Sequence, residues 1–388
     1  MKVWFSLLSK NQKIWMVVTI AVCLCIVLIG FVFEQSNEAE AIEIKLDMSL
    51  KSAAIKLDIT GKSIARELSL PLDIKKSQSF RELGVTKEQL DNAGHHIQSH
   101  SPKKVKYYIF VSLTLFGLVF LTRIGRPDGT SAKKDRYLWY PRVFYIITLL
   151  LAVLFAGFAL GKSPNPIESF VKVFKSMVGL YPDPVNKVLV FVFFSVLAIL
   201  GNKLICGWAC PFGALQELLY DNCLTRKIPR FKVPFIISNT IRSLLFITMI
   251  VLLFGIIGGK KGYVIYHYVN PFNLFNFDFD ELSIIVTLVG VFIAGLFIYR
   301  PFCQFICPFG LISWFVERLS IFHVKIDHSR CTECGVCIDV CPLDAAKGLV
   351  EKKRIPADCF SCARCLNVCP VDAIHYEFRK DLANVSSK

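Results

Sequence analysis

Cysteine is the residue in this chain whose type and spacing can do chemistry. From Cys331 the sequence reads Cys-Thr-Glu-Cys-Gly-Val-Cys-Ile-Asp-Val-Cys-Pro, and from Cys359 it reads Cys-Phe-Ser-Cys-Ala-Arg-Cys-Leu-Asn-Val-Cys-Pro. Both runs have the form C-x2-C-x2-C-x3-C-P. Three thiolates at two-residue gaps wrap one face of a four-iron cubane, and the intervening amides can point at its sulfides. The fourth cysteine, on the helix that follows, reaches across to the other cluster. The expected ligand sets are Cys331, Cys334, Cys337 and Cys369 for one 4Fe-4S cluster, and Cys359, Cys362, Cys365 and Cys341 for a second. Each run continues as Pro-x-Asp-Ala, at Pro342–Ala345 and Pro370–Ala373, which completes a half-repeat of a bacterial-type two-cluster fold. Zinc also takes four thiolates, but usually from two separated CxxC pairs. Disulfides do not suit a reducing compartment.

Four more cysteines share a second spacing. Cys206-Gly-Trp-Ala-Cys210-Pro-Phe-Gly and Cys303-Gln-Phe-Ile-Cys307-Pro-Phe-Gly are two copies of C-x3-C-P-F-G. Upstream of each lies an Asn-Pro pair, Asn165-Pro166 and Asn270-Pro271, leading into an apolar amphipathic run. The pattern predicts a duplicated helical hairpin, with a proline loop outside and a cysteine turn inside, packed about a pseudo-two-fold axis. Proline is expected to stop each helix, and the glycine two residues later to allow the turn into the next segment. Packed in this way, Cys206, Cys210, Cys303 and Cys307 supply four thiolates. A third metal centre such as an iron–sulfur cluster fits them, as does a thiol–disulfide relay; buried free thiols at helix ends are the bland alternative. Cys223 reads as incidental, and Cys23 and Cys25 as packing residues.

The elements that must position these cysteines are membrane helices. Of 388 residues 54% are hydrophobic, 33 are Phe and 19% are charged, against about a quarter charged in a soluble domain. A disordered chain has the opposite balance, and a disulfide-stapled secreted scaffold is short. Six stretches suit a bilayer core of about 30 Å: Ile14–Phe33, Tyr107–Thr122, Val143–Leu160, Val185–Leu200, Ile236–Ile257 and Leu282–Tyr299. None contains histidine, which removes the usual axial ligands of a b-type haem, and none has an ionisable residue in its central part apart from Arg242, near one end of the fifth. Lys2, Lys10 and Lys13, then Arg126, Lys133, Lys134, Arg136 and Arg142, then Arg226, Lys227, Arg230 and Lys232 mark one side as cytoplasmic by the positive-inside rule. Both termini and the cysteine-rich C-terminus then face the cytoplasm. The net charge of +15 is mainly this anchoring, with no nucleic-acid partner implied.

The expected organisation is a cytoplasmic tail and anchor over 1–33, a small helical extracytoplasmic insert over 34–106, and a second span with a basic loop over 107–142. A duplicated four-helix core follows over 143–320, then a two-cluster domain over 321–378 and a tail over 379–388. The first apolar stretch exceeds the length of a signal-peptide core, so it reads as an anchor. In the insert, Thr60 is placed to cap a helix and Thr86 with Gln89 forms a capping-box pattern. Gly61-Lys62-Ser63 lacks the upstream glycine of a phosphate loop. His95, His96 and His100 read as a solvated helix end, with a weak metal or haem contact as the alternative. The insert is small enough to dock a partner.

Together these motifs resemble the membrane polyferredoxins, which include NapH proteins and the C-terminal half of NosR proteins. The resemblance covers about residues 143–378, from Cys206-Gly-Trp-Ala-Cys-Pro-Phe-Gly-Ala-Leu-Gln-Glu through the second C-x3-C-P copy to the double cysteine run. It implies an α-helical inner-membrane protein ending in an α+β two-cluster ferredoxin domain. It also implies electron transfer between the quinone pool, its clusters and another redox protein. NosR proteins carry a much larger periplasmic flavin-binding domain than residues 34–106 could form, so no covalent FMN is expected. NapH proteins have the four-span core alone, and FixG-type proteins end in a β-sandwich that this chain lacks. No nucleophile–base pair, phosphate loop or catalytic acid pair is present, so the expectation is an electron-transfer subunit, a quinol dehydrogenase component at most. The alternative is an accessory maturation or regulatory factor that keeps a partner metalloenzyme's cofactor reduced.

Overall fold

The computed structural model describes residues 10–38, 45–56, 64–65, 68, 70–71, 77–90, 104–124, 142–179, 184–221, 228–256, 263–277, 279, 281–353 and 357–379. Thr60, His95, His96, His100, Cys223 and most of the basic loop residues lie outside these.

Helix α1 (Lys10–Glu38) is followed by short α2 (Leu50–Lys56), then α3 (Val105–Val119), which runs on as a π-helical turn to Ile124. Helix α4 (Arg142–Leu151) likewise continues as a π-helix over Ala152–Ala159. Then come α5 (Pro166–Met177), α6 (Pro184–Ile199), the π-turn Ile205–Ala209, α7 (Pro211–Tyr220), α8 (Phe235–Phe254), α9 (Leu282–Phe297), α10 (Pro301–Phe305) and α11 (Pro308–Val316). The C-terminal part holds β1 (Phe322–Ile326), α12 (Val336–Val340), α13 (Ala345–Val350), α14 (Arg364–Val368) and β2 (Ile374–Phe378).

Among the described residues, three helices are long and apolar enough to cross a membrane: Lys10–Glu34, Val105–Arg123 and Phe235–Phe254. Three more, Val143–Ala159, Pro184–Ile199 and Leu282–Phe297, are apolar but shorter. All six stretches picked from the sequence are therefore helical. The short ones end early because the chain leaves the helix for irregular turns buried inside the protein, where backbone groups find internal partners. Side chains facing away from the bundle are apolar: Val17, Leu24, Leu28 and Val32 on α1, and Ile236, Leu244 and Ile247 on α8, are exposed. Helix α1 lies along α3, where Cys23 Sγ donates to the Ser112 carbonyl at 3.3 Å and Ser112 Oγ donates to the Cys23 carbonyl at 3.3 Å. Cys25 is exposed.

The two Asn-Pro sites differ. Asn165 caps α5, its side chain accepting Glu168 N at 2.8 Å, with Pro166 at the first helical position. Asn270 accepts Phe272 N at 3.2 Å, but only a 3₁₀ segment, Pro271–Asn276, follows it. The second copy, Phe-Asn-Leu-Phe-Asn-Phe-Asp, is dense in Asn and Asp, which compete for backbone groups and disfavour a helix interior.

Strands β1 and β2 pair antiparallel, Phe322 opposite Phe378 and Ile326 opposite Ile374. One continuous core runs from Met16 through the helices to Tyr376, so sheet and bundle share their burial. A separate small core, Leu50, Ala53, Ile64, Ala65, Phe80, Val85 and Leu90, holds the segment between α1 and α3 together. There Thr86 N donates to Gln89 Oε1 at 3.0 Å and Gln89 N to Thr86 Oγ1 at 3.3 Å, the reciprocal capping box read from the sequence.

Candidate metal centres

The C-terminal cysteines sit on two loops of matching shape. Residues two and four positions after the leading cysteine adopt left-handed backbone in both: Glu333 (φ 52°) and Gly335 (φ 75°) after Cys331, Ser361 (φ 49°) and Ala363 (φ 63°) after Cys359. Left-handed residues reverse the local curl, so each loop winds around a common centre before entering its helix. Helices α12 and α14 then end on Cys341 (φ −71°, ψ 119°) and Cys369 (φ −66°, ψ 114°).

The result is two cavities. Cys341, Cys359, Cys362 and Cys365 line one of them, together with Tyr299, Leu343 and Phe360. Cys331, Cys334, Cys337 and Cys369 line the other, with Ile326, Val350 and Ile374. Each is an apolar space with four cysteines on its wall, which by donor number and type fits a four-iron cubane. Ala373 N donates to Cys369 Sγ at 3.2 Å, an amide-to-sulfur bond of the kind that tunes such a cluster. Among the described residues no three His, Cys, Asp or Glu side chains converge closely enough to share a single ion; a cubane spreads its cysteines more widely than one ion does. Burial pushes the Cys359, Cys362 and Cys365 thiols up from their ordinary range. These three thiols therefore hold protons that ligation must displace.

The C-x3-C-P copies also match each other. Lys203 and Arg300, each three residues before the first cysteine, are left-handed, with φ of 54° and 45°. Cys210 N donates to Ile205 O at 2.8 Å, and Cys307 N to Phe302 O at 2.9 Å. Cys210 and Cys307 stand just before α7 and α11 with nearly identical dihedrals, −68°/117° and −65°/116°. The proline after each occupies the first helical position, where its missing N–H costs nothing. The sequence reading placed proline as a stop and the following glycine in a turn. The structure instead puts Gly213 and Gly310 inside α7 and α11. There a Cβ would come within 2.7 Å of Cys206 O, or 2.8 Å of Cys303 O, and 3.1 Å from a buried guanidinium in both cases. Close approach is the reason for glycine.

All four thiols of these copies lie within electrostatic range of one another. Gln216 joins the copies, Nε2 donating to Cys303 Sγ at 3.3 Å and Oε1 accepting Phe302 N at 3.0 Å. Gly310 N donates to Cys307 Sγ at 3.3 Å.

Sequence reasoning missed the buried charges around this site. Arg300 donates from Nη1 to Cys206 O at 2.5 Å, from Nη2 to Gly207 O at 3.1 Å, and from Nε to Glu217 Oε2 at 2.9 Å. Glu217 also accepts from Tyr299 OH at 2.5 Å and from Arg364 Nη2 at 2.5 Å. Lys203 Nζ donates to Gly310 O at 3.0 Å and pairs with Asp358. Arg242 Nη1 meets the other Asp358 oxygen at 3.0 Å and Cys303 O at 3.3 Å. Lys203, Arg242 and Arg300 are 0% exposed, and Asp358 and Glu217 2%. Charges this deep persist only when paired and hydrogen-bonded. Burial works to raise the Asp358 pKa, but Lys203 and Arg242 outweigh it and hold the carboxyl below its ordinary range. The usable signal was positional: a cation three residues before the first cysteine in both copies.

Two family models match the chain, a 4Fe-4S binding domain over residues 187–234 and a 4Fe-4S dicluster domain over residues 301–345. An uncharacterised protein of Methanocaldococcus jannaschii is 27% identical over 194 residues, 50% of this chain and 69% of that protein. The regulatory protein NosR of Stutzerimonas stutzeri is 29% identical over 248 residues, 61% of this chain and 33% of NosR. The ferredoxin-type protein NapH of Haemophilus influenzae is 25% identical over 169 residues, 42% of this chain and 55% of NapH. The chain thus spans about a third of the NosR protein and about half of the NapH protein it matches. No solved structure matches it significantly. With both 4Fe-4S models falling on its cysteine motifs, and with these relatives, the chain resembles the NapH/NosR-type polyferredoxins.

Proposed function

We propose that this protein relays single electrons through iron–sulfur clusters between the quinone pool and another redox protein of a respiratory system. The observation that supports this most directly is the pair of cavities, each lined by one of the two cysteine sets that the C-x2-C-x2-C-x3-C-P spacing assigns to a cluster. In this reading Cys331, Cys334, Cys337 and Cys369 hold one 4Fe-4S cluster, and Cys341, Cys359, Cys362 and Cys365 hold the other. Bound there, the clusters supply one-electron storage and transfer; the chain fixes their spacing and excludes water with the apolar walls around them. Cys206, Cys210, Cys303 and Cys307 form a third redox centre, as a further cluster or as a thiol relay. The buried cations Lys203, Arg242 and Arg300 and the donors to Cys303 and Cys307 favour an anionic centre there.

The C-x3-C-P copies belong to a duplicated hairpin in a six-span inner-membrane protein, with both termini and the ferredoxin domain cytoplasmic. The matched dihedrals and hydrogen bonds of the copies support the duplication. Iron and sulfide content, with EPR of the reduced protein, tests the reading. About eight irons per chain are expected from two four-iron clusters, more if the third centre is metallic, and EPR-visible reduction by a short-chain naphthoquinol. Absence of iron from anaerobically purified protein overturns it.

A second reading is an accessory factor that keeps a partner metalloenzyme's cofactor reduced. It draws on the NosR relatives, which are named regulatory proteins. Clusters that stay oxidised under quinol, in a protein whose deletion lowers a partner's metal content, would select it.

A further inference from the structure

The two cysteine sets of the C-terminal part stand in unequal relation to the membrane helices. The cavity of Cys331, Cys334, Cys337 and Cys369 is walled wholly by residues from Ile326 onward, and Cys334 is exposed. The other cavity includes Tyr299, which directly follows the segment continuing from α9. Its loop, residues 358–364, touches the first C-x3-C-P turn and sets the Phe360 ring 5.0 Å from the guanidinium of Arg300, which leads into the second. Trp208 Nε1, inside the first turn, donates to Ser361 O at 3.0 Å, and Ser361 Oγ donates to Asn202 O at 3.0 Å. A Cβ on Gly207 would overlap the Phe360 carbonyl oxygen, so only glycine lets the loop backbone lie on the turn.

Two buried ion networks brace this junction. Glu217, on α7 after the first turn, receives Arg300 from the second copy and Arg364 from between Cys362 and Cys365. Asp358, next to Cys359, receives Lys203 from the first copy and Arg242 from α8. Each carboxylate thus ties the same cysteine loop to both C-x3-C-P copies.

We propose that Glu217 and Asp358 are positioning residues that lock the Cys341/Cys359/Cys362/Cys365 set against Cys206, Cys210, Cys303 and Cys307, making it the membrane-proximal station of the chain. The Cys331/Cys334/Cys337/Cys369 set is the distal station, open to solvent at Cys334. This rests on the relay reading and deepens it, because it orders the stations. The reductant is a quinol, which on oxidation to the quinone gives up two electrons and releases its two O–H protons to water. With clusters bound in both sets, the two electrons would pass singly through the proximal set, the first going on to the distal set and the second remaining on the proximal one, each set taking one electron.

The order is tested with Cys362→Ala and Cys334→Ala, each removing one ligand, by freeze-quench EPR after mixing with a short-chain naphthoquinol. Loss of the proximal cluster is expected to slow reduction of the distal one by at least tenfold, whereas loss of the distal cluster leaves proximal reduction at its original rate. The opposite asymmetry, or none, overturns the order. The bracing is tested separately by hydrogen exchange of amides 357–363, which needs neither quinol nor clusters. Glu217→Gln is expected to raise exchange there at least tenfold over the wild type, while the amides of 331–337 keep their rates. Equal change in both loops, or in neither, overturns the positioning role. Should Glu217→Gln fail to fold, Trp208→Phe removes only the indole donor to Ser361 and must raise exchange of 359–363 selectively. Wild-type protein without iron would sink the relay reading and leave the exchange result standing on its own.

Discussion

Replacing Asp358 by Asn keeps the side chain's size and removes its charge. In the native structure this carboxylate is 2% exposed and holds two fully buried cations, Lys203 on one oxygen and Arg242 on the other. After the change Lys203 retains the Gly310 carbonyl, and Arg242 retains Cys303 O and Asn239 Oδ1. These neutral acceptors leave both buried cations without a bonded counter-ion, the buried Glu317 carboxyl lying within electrostatic range of the two but bonded to neither. Breaking a buried pair by removing one partner costs about 3–5 kcal/mol. With two cations sharing the one carboxylate, the upper part of that range is expected. The penalty falls on the closed junction between the cysteine loop and the C-x3-C-P turns, since opening it lets water reach both cations. At a tenfold change for each ~1.4 kcal/mol, the amides of residues 357–363 should exchange about 10³-fold faster or more. The assay is hydrogen exchange read by mass spectrometry on protein in detergent, with the β1–β2 amides as internal reference. An increase below about threefold would refute the idea that this ion network holds the junction closed.

Gly207→Ala forces a methyl group into the Phe360 carbonyl; overpacking of about 1–3 kcal/mol should lower the melting temperature and release Trp208 from Ser361, read as a shift in tryptophan emission. An unchanged melt and spectrum would contradict the contact. Cys303→Ser should remove only the iron above the ferredoxin complement and leave both ferredoxin EPR signals intact; loss of those signals instead would place Cys303 in one of the two sets. The raised Cys359, Cys362 and Cys365 thiols must lose protons on ligation, so reconstitution of the apo-protein should tighten as pH rises through neutrality, by up to about tenfold per unit for each thiol displaced. A pH-independent uptake would argue against these three as ligands. The stabilisation Asp358 contributes runs the same way with pH, but lower on the scale: its folded pKa is depressed, so the stabilisation is present above the ordinary carboxylate range near pH ~4 and is lost as pH falls below it. Exchange of 357–363 should therefore rise relative to the reference amides on acidification.

Local geometry was legible because it is written in short spacings. The two cysteine spacings, the Thr86–Gln89 box and the apolar stretches that became helices each depend on residues a few positions apart, where helix and turn periodicity dictate what meets. The second Asn-Pro site was only half legible: the apolar run expected after it is there, but its Asn and Asp content makes it a 3₁₀ segment rather than the α-helix that follows Asn165. The glycines after each proline were misassigned, because a glycine that permits close packing and one that permits a turn look alike until the neighbour is known.

The sequence alone carried the expectation of iron–sulfur chemistry, through the spacing that groups the cysteines into sets, and determined that the chain around them is membrane-compatible. Only the tertiary structure decided where those sets stand relative to the C-x3-C-P turns. That decision rests on Lys203 meeting Asp358 across 155 positions, Arg242 meeting it across 116, and Glu217 meeting Arg364 across 147. Ion pairs of such separation follow no periodicity. They exist because a charge carried into a low-dielectric interior must find its counter-charge there, and which one it finds is settled by how the helices pack.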